Sequence, residues 1–126
     1  MGHKSRLGVI VIDCQTQDLD QAAAFWGQAL GADARIEPDG KYATIGDRST
    51  SPVVLLQAVD HPPRVHLDIE SDDQEAEVAR LKALGAVEVG THPKWTILEA
   101  PTGHRFCIIK PQNDSFAAHA TEHPDA

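Results

Sequence analysis

Apolar and polar positions along this chain fall into two similar series. Residues 7–14 are an apolar, β-branched run of the kind that makes a strand. Leu19, Ala22, Ala23, Trp26 and Leu30 then recur at helical spacing, which predicts a helix over 18–30 with one apolar face. Gly31 ends it, because glycine takes the left-handed conformation past a last turn without a Cβ penalty. Strand segments are predicted at 34–37, 41–46 and 52–59. Pro38-Asp39-Gly40 makes a turn in which Pro presets φ and Gly supplies a positive one. The order then repeats. A strand at 64–70 leads into Ser71-Asp72-Asp73-Gln74, which reads as a capping box with Ser71 as N-cap. The second helix runs to Leu84, with Val78, Leu81 and Leu84 expected inward and Glu75, Glu77, Arg80 and Lys82 outward. Strands follow at 86–90, 95–99 and 105–110, the last after the turn Pro101-Thr102-Gly103.

The tetrapeptide Ala29-Leu30-Gly31-Ala32 recurs as Ala83-Leu84-Gly85-Ala86, each time at a helix end. With the repeated element order this marks an internal duplication. The chain is therefore read as α+β: tandem βαβββ modules at about 6–60 and 61–111, followed by a tail at 112–126. The tail is polar and without periodicity, and is expected to be mobile or loosely docked. Its one large apolar residue, Phe116, is a candidate for docking on a partner subunit.

A length of 126 residues suits a single domain spanning 1–126, with one core. At 41% apolar and 24% charged, the composition is that of a globular protein. No apolar run approaches a membrane span of about 18 residues. Residues 1–6 lead straight into the first strand and lack a secretory signal's apolar core, so a cytoplasmic location is expected. Two cysteines, Cys14 and Cys107, without CxxC spacing argue against a disulfide framework or a zinc ribbon. A net charge of −8 argues against nucleic acid as a partner, since phosphates demand Lys and Arg. It is compatible with a cationic small ligand, although an acidic surface most often serves solubility.

Three stretches carry a family resemblance. Phe25-Trp26 followed by Ala29-Leu30-Gly31 resembles the helix signature of vicinal-oxygen-chelate (VOC) proteins. His66-Leu67-Asp68-Ile69 resembles their second opening strand. Residues 95–107, from Trp95 through Pro101-Thr102-Gly103 to Phe106-Cys107, resemble the closing stretch of the glyoxalase-like members. The resemblance covers residues 6–111. It implies a curved, half-barrel-like mixed sheet with helices on its outer face and a ligand cleft inside. Because side chains alternate along a strand, His66, Asp68 and Glu70 are expected to face the cleft, and Val65, Leu67 and Ile69 the helix. By the repeat, Val9, Val11 and Asp13 face the cleft, while Ile10, Ile12 and Cys14 pack on the first helix. Asp13 and Glu70 are candidates for the open mouth.

Metal-dependent members of the family use two positions per module, usually His or Glu. Carried over, these are Val11 and His66 on the opening strands and Gln57 and Cys107 on the closing ones, with Leu55 in place of Gln57 if the register shifts by two. Only His66 is a standard ligand, so no metal and no other cofactor is expected. His3, His119 and His123 lie near the termini, and His61, His92 and His104 beside turns, where a solvated His is usual. His66 has three readings: a hydrogen-bonded core residue, a ligand contact, or a general base with Asp68 beside it. Trp26 belongs on the helix stripe. Trp95 is either a stacking wall for a flat ligand or a plug at one end of the barrel. Arg105, beside Cys107 by alternation, would favour an anion, against the acidic Asp13, Asp68 and Glu99.

The expected site is thus His66 and Asp68 as acid and base, with Val11, Asp13, Gln57, Trp95, Arg105 and Cys107 as ligand contacts. Two functions from different classes follow: a glyoxalase-like lyase, isomerase or hydrolase, and a bleomycin-resistance-type module that binds a drug or metabolite without chemistry. A homodimer is expected, since half-barrel modules leave sheet edges that invite pairing.

Overall fold

The computed structural model describes residues 2–49 and 51–124. The chain runs β1 (His3–Gln15), α1 (Asp20–Leu30), β2 (Ala34–Ile36), β3 (Tyr42–Ile45), β4 (Val53–Val59), β5 (Arg64–Ser71), α2 (Gln74–Ala83), β6 (Val87–His92), β7 (Trp95–Glu99), β8 (Arg105–Ile109), α3 (Phe116–His119) and β9 (Thr121–His123). The strands form one mixed, open sheet in the order β2-β3-β4-β1-β5-β8-β7-β6, with β9 on the far end of β1.

That order is a palindrome of the two modules. In each, the opening strand pairs in parallel with the last strand of its own module, β1 with β4 and β5 with β8. The opening strands pair antiparallel with each other, Val11 directly opposite His66. A pseudo-twofold through that pair relates Val11 to His66 and Asp13 to Asp68. Asp13 lies beside Gln57 and Asp68 beside Cys107, so Gln57 and Cys107 are equivalent too.

The apolar stripe of α1 packs on one side of the sheet. Leu19 and Ala23 are buried with Ala43, Ile45 and Leu56, and Ile12, Cys14 and Trp26 pack around them. Val9, Val11 and Val53 form a second cluster with Leu55 and Ile109. The two faces of β1 therefore divide as alternation requires. Gly31 closes α1 with φ 67°.

The second helix departs from its sequence reading. Its N-cap is Asp73, whose carboxylate accepts from Ala76 N at 3.0 Å. Ser71 is the last residue of β5; its hydroxyl donates to Lys4 O at 2.9 Å and accepts from Asp73 N at 3.1 Å. Glu77 points inward and is fully buried, while Leu84 is 66% exposed. The cause is β1, which begins at His3 rather than Leu7 and brings His3 against α2. His3 Nε2 lies 2.7 Å from Glu77 Oε1, and Arg80 holds the same carboxylate through two bonds of 2.8 Å.

The tail is docked on its own chain, contrary to the sequence expectation; residues 125–126 lie outside the described residues. β9 pairs antiparallel with His3–Ser5 of β1, Ser5 Oγ and His123 Nε2 lie 2.8 Å apart, and Phe116 is buried beneath the Arg6 guanidinium. Glu70 is part of this lock rather than of an open mouth. It is fully buried and accepts from Arg6 Nε at 2.9 Å and Gln112 N at 2.8 Å. Room for it comes from Gly8, the extra residue where the β1–β5 register shifts; a Cβ there would lie 2.1 Å from Glu70 Cγ. Among the described residues no helix is long and apolar enough to cross a membrane.

Candidate functional site

The concave face of the sheet encloses a cavity of about 350 Å³. β1 contributes Val11 and Asp13, and β4 contributes Leu55, Gln57 and Val59. β5 adds Arg64, His66 and Asp68, β7 adds Trp95 and Ile97, and β8 adds Arg105, Cys107 and Ile109. All eight residues singled out from the sequence line this one space. Sequence reasoning missed Tyr42, His61 and Arg64, which line it as well. Arg64 was open to discovery, since it shares the face of His66 and Asp68 on β5. His61 and Tyr42 arrive by a connection and by β3, where alternation carries little signal.

Burial increases toward the floor. Asp13 is 2% exposed, and its Oδ2 lies 3.0 Å from His66 Nδ1. A carboxylate can only accept, so Nδ1–H is the donor, and in the neutral ring Nε2 is left as the acceptor. His61 Nε2 and Arg64 Nε stand 3.8 and 3.6 Å from the same oxygen. Asp13 is thus a buried acid with one ring held to it and a second ring and a guanidinium toward solvent. His66 Nε2 lies 3.5 Å from Asp68 Oδ1, yet that oxygen has no hydrogen-bond partner, nor has Asp13 Oδ1. Gln57 Nε2 donates to the Tyr42 hydroxyl at 3.2 Å.

The electrostatics follow from low solvation and crowded acids. Burial, reinforced by Asp13, pushes Asp68 up to about 6, although His66 and Cys107 pull it back. Burial, with Asp68 and Asp13 beside it, pushes the Cys107 thiol up to about 12. Burial and then Asp68 raise Tyr42. Trp95 stacks face to face on His92, ring centroids 3.6 Å apart, so its plane is fixed. Arg105 sits at the rim, paired loosely with Glu99 at 3.7 Å.

The four positions at which the family resemblance places a metal do not make a hard-cation site here. Val11 has no donor atom, and the Gln57 amide is engaged by Tyr42. The structure adds a residue that those positions omit. His66, Asp68 and Cys107 each offer a ligand atom, and the three atoms lie within 4.8 Å of one another.

Paired βαβββ modules around a lined cleft define a protein of the VOC superfamily. Within it, this chain belongs to the glyoxalase-like domain family, whose model matches residues 9–109. No curated protein matches the chain. Among solved structures, the Mn(II)-bound glyoxalase from Novosphingobium aromaticivorans is similar at 16% identity with a TM-score of 0.63, over 100% of this chain and 43% of that one. A catechol 2,3-dioxygenase is similar at 20% identity with a TM-score of 0.47, over 85% of this chain and 41% of that one. A glyoxalase/bleomycin resistance protein from Streptomyces sp. CB03234 is similar at 19% identity with a TM-score of 0.31, over 82% and 99%. This chain thus spans less than half the length of the first two.

Proposed function

We propose that this chain binds a small organic molecule in the cleft, through a polar floor of Asp13, His66 and Asp68 and a flat wall at Trp95. The observation that carries this reading is the cavity itself. Its about 350 Å³ fall within the ~300–1,000 Å³ of small-molecule sites, and such sites pair apolar walls with a few convergent polar groups. Val11, Leu55, Ile97 and Ile109 supply the walls. The test is ligand-observed NMR of a panel of small aromatic amines, acids and neutral compounds, with chelator present throughout. Binders are expected to be lost in Leu55→Trp, which fills the cavity, and weakened in Trp95→Ala. Binding of every compound unchanged in both variants would remove the cleft assignment.

A second reading, lyase or isomerase chemistry on that molecule, is favoured by one observation: Asp13 fixes the His66 ring with Nε2 toward Asp68. An oriented His beside a carboxyl held near neutrality is the pairing that proton transfer requires. Such activity would persist in chelator and fall about 10²–10⁴-fold in His66→Ala.

A homodimer fits the outer face of the second module, where Val65 and Leu67 are exposed beside α2. Sedimentation at micromolar concentration is expected to give twice the chain mass; a monomer there would count against it.

A further inference from the structure

We propose that the second module carries a zinc site of its own, formed by His66 Nε2, Asp68 Oδ1 and Cys107 Sγ. Three observations converge on it. First, the register of two parallel neighbours assembles the donors. Asp68 on β5 lies beside Cys107 on β8, His66 precedes Asp68 by two residues on the same face, and the nitrogen, oxygen and sulfur lie within 4.8 Å of one another. No other such group of three His, Cys, Asp or Glu donors is found among the described residues.

Second, Asp68 Oδ1 is buried with no hydrogen-bond partner, although His66 Nε2 stands 3.5 Å away. A buried carboxylate oxygen left bare is costly. Zinc bonds of about 2.0–2.3 Å in a tetrahedron put donors about 3.3–3.6 Å apart, so the gap that fails as a hydrogen bond has the span of a coordination edge.

Third, the far side of the ring is already arranged. Asp13 accepts a hydrogen bond from Nδ1–H at 3.0 Å, the carboxylate–histidine support that orients metal-binding imidazoles.

A thiolate in the set selects zinc over manganese or magnesium, which prefer oxygen. The site keeps two of the four positions implied by the family resemblance, His66 and Cys107, and departs from the rest: Val11 and Gln57 take no part, Asp68 is added, and every donor lies in one module. The proposal does not rest on the organic-ligand reading. It does compete with acid–base catalysis by His66 and Asp68, because an ion would occupy both side chains.

The test uses the full chain, stripped with chelator and then titrated with Zn²⁺ or Co²⁺ alone. One zinc per chain is expected by calorimetry and native mass. Cobalt is expected to give a thiolate-to-metal charge-transfer band in the near ultraviolet. Cys107→Ser, nearly isosteric, should abolish that band; Cys14→Ser should leave it intact. Asp13→Asn should keep the band and weaken zinc about 10–100-fold. Circular dichroism of each variant separates lost binding from lost fold. The proposal is overturned if zinc fails to bind at one per chain, if cobalt binds without the band, or if folded Cys107→Ser binds zinc like the parent. Manganese held as tightly as zinc and unaffected by Cys107→Ser would equally overturn it. Because the aromatic panel is run in chelator, failure here leaves the cleft reading standing, and failure of the panel leaves this one.

Discussion

Replacing Glu77 with Gln removes one charge from a fully buried position on α2 and keeps its shape. The carboxylate accepts two bonds of 2.8 Å from Arg80 and meets His3 at 2.7 Å. Burial alone would raise its pKa. Hydrogen bonds from Arg80, His3 and Ser5, with the Arg80 charge, overcome that and hold it at about 2, against an ordinary 4.5. Each unit is worth about 1.4 kcal/mol, so ionised Glu77 contributes about 3 kcal/mol relative to the unfolded chain. That is a large share of the ~5–15 kcal/mol by which such domains are stable. The sign is that of a depressed carboxylate. The contribution is complete above 4.5 and is lost as pH falls through about 2. Glu77→Gln is therefore expected to be less stable at pH 7 by about 2–3 kcal/mol. The gap should fall to about half by pH 3 and close near pH 2. Urea unfolding followed by circular dichroism across that range measures it. A gap equal at pH 7 and pH 3, or below about 0.5 kcal/mol throughout, would refute the buried ion-pair account.

Three further outcomes test other parts of the structure. In chelator-treated protein, Asp68→Asn should gain stability over the parent as pH rises from 3.8 to about 6, where the unfolded chain ionises and the folded carboxyl does not, and hold that advantage above it; urea midpoints at pH 4 and pH 8 that show no growing advantage would contradict this. Gly8→Ala drives a Cβ into Glu70 Cγ, and should lower stability by about 1–3 kcal/mol, read from its thermal unfolding against the parent. Phe116→Ala should cost about 3 kcal/mol and speed hydrogen exchange at residues 3–5, the pairing partners of β9; unchanged exchange there would mean that the tail does not protect β1.

The strand faces were legible because one period decides them. The family resemblance put His66 and Cys107 in the cleft, alternation carried that to Asp68 and set Ile12 and Cys14 on the other side, and the twin Ala-Leu-Gly-Ala ends gave the module order. What escaped was set by partners distant in the chain. On a helical wheel Glu77 falls between Leu81 and Leu84, inside the arc set by Val78, Leu81 and Leu84; its charge alone makes it read as outward, and the partner that makes the buried carboxylate tolerable, His3, is 74 residues away. Ser71 fits a capping box, but pairing with Lys4 keeps it in β5 and passes the cap to Asp73. The polar tail carries no periodicity, since it docks by specific bonds to Arg6, Glu70 and Ser5 rather than by an apolar face. At the site, the residues could be named, but not the bond between Asp13 and His66, which depends on how deep each sits.

The two modules share a topology and divide the chemistry unequally. Under the pseudo-twofold, Val11 answers His66 and Gln57 answers Cys107, so only the second module holds a ring nitrogen and a sulfur at these places. The first supplies an apolar wall from Val11 and Leu55 and one acid, Asp13, that reaches across the module boundary to His66. The outer faces are just as unequal. α1 seals its half with Leu19 and Ala23 in a common core. α2 turns Glu77 toward β1, and leaves Val65 and Leu67 56% and 43% exposed. The half that holds most of the polar floor is therefore also the half with the thinner apolar cover. Ionising Asp68 there opposes folding, whereas the first module buries mostly carbon. Substitutions in the first module's core should accordingly read out as stability, whereas those of the two floor acids, Asp13 and Asp68, should move both stability and binding.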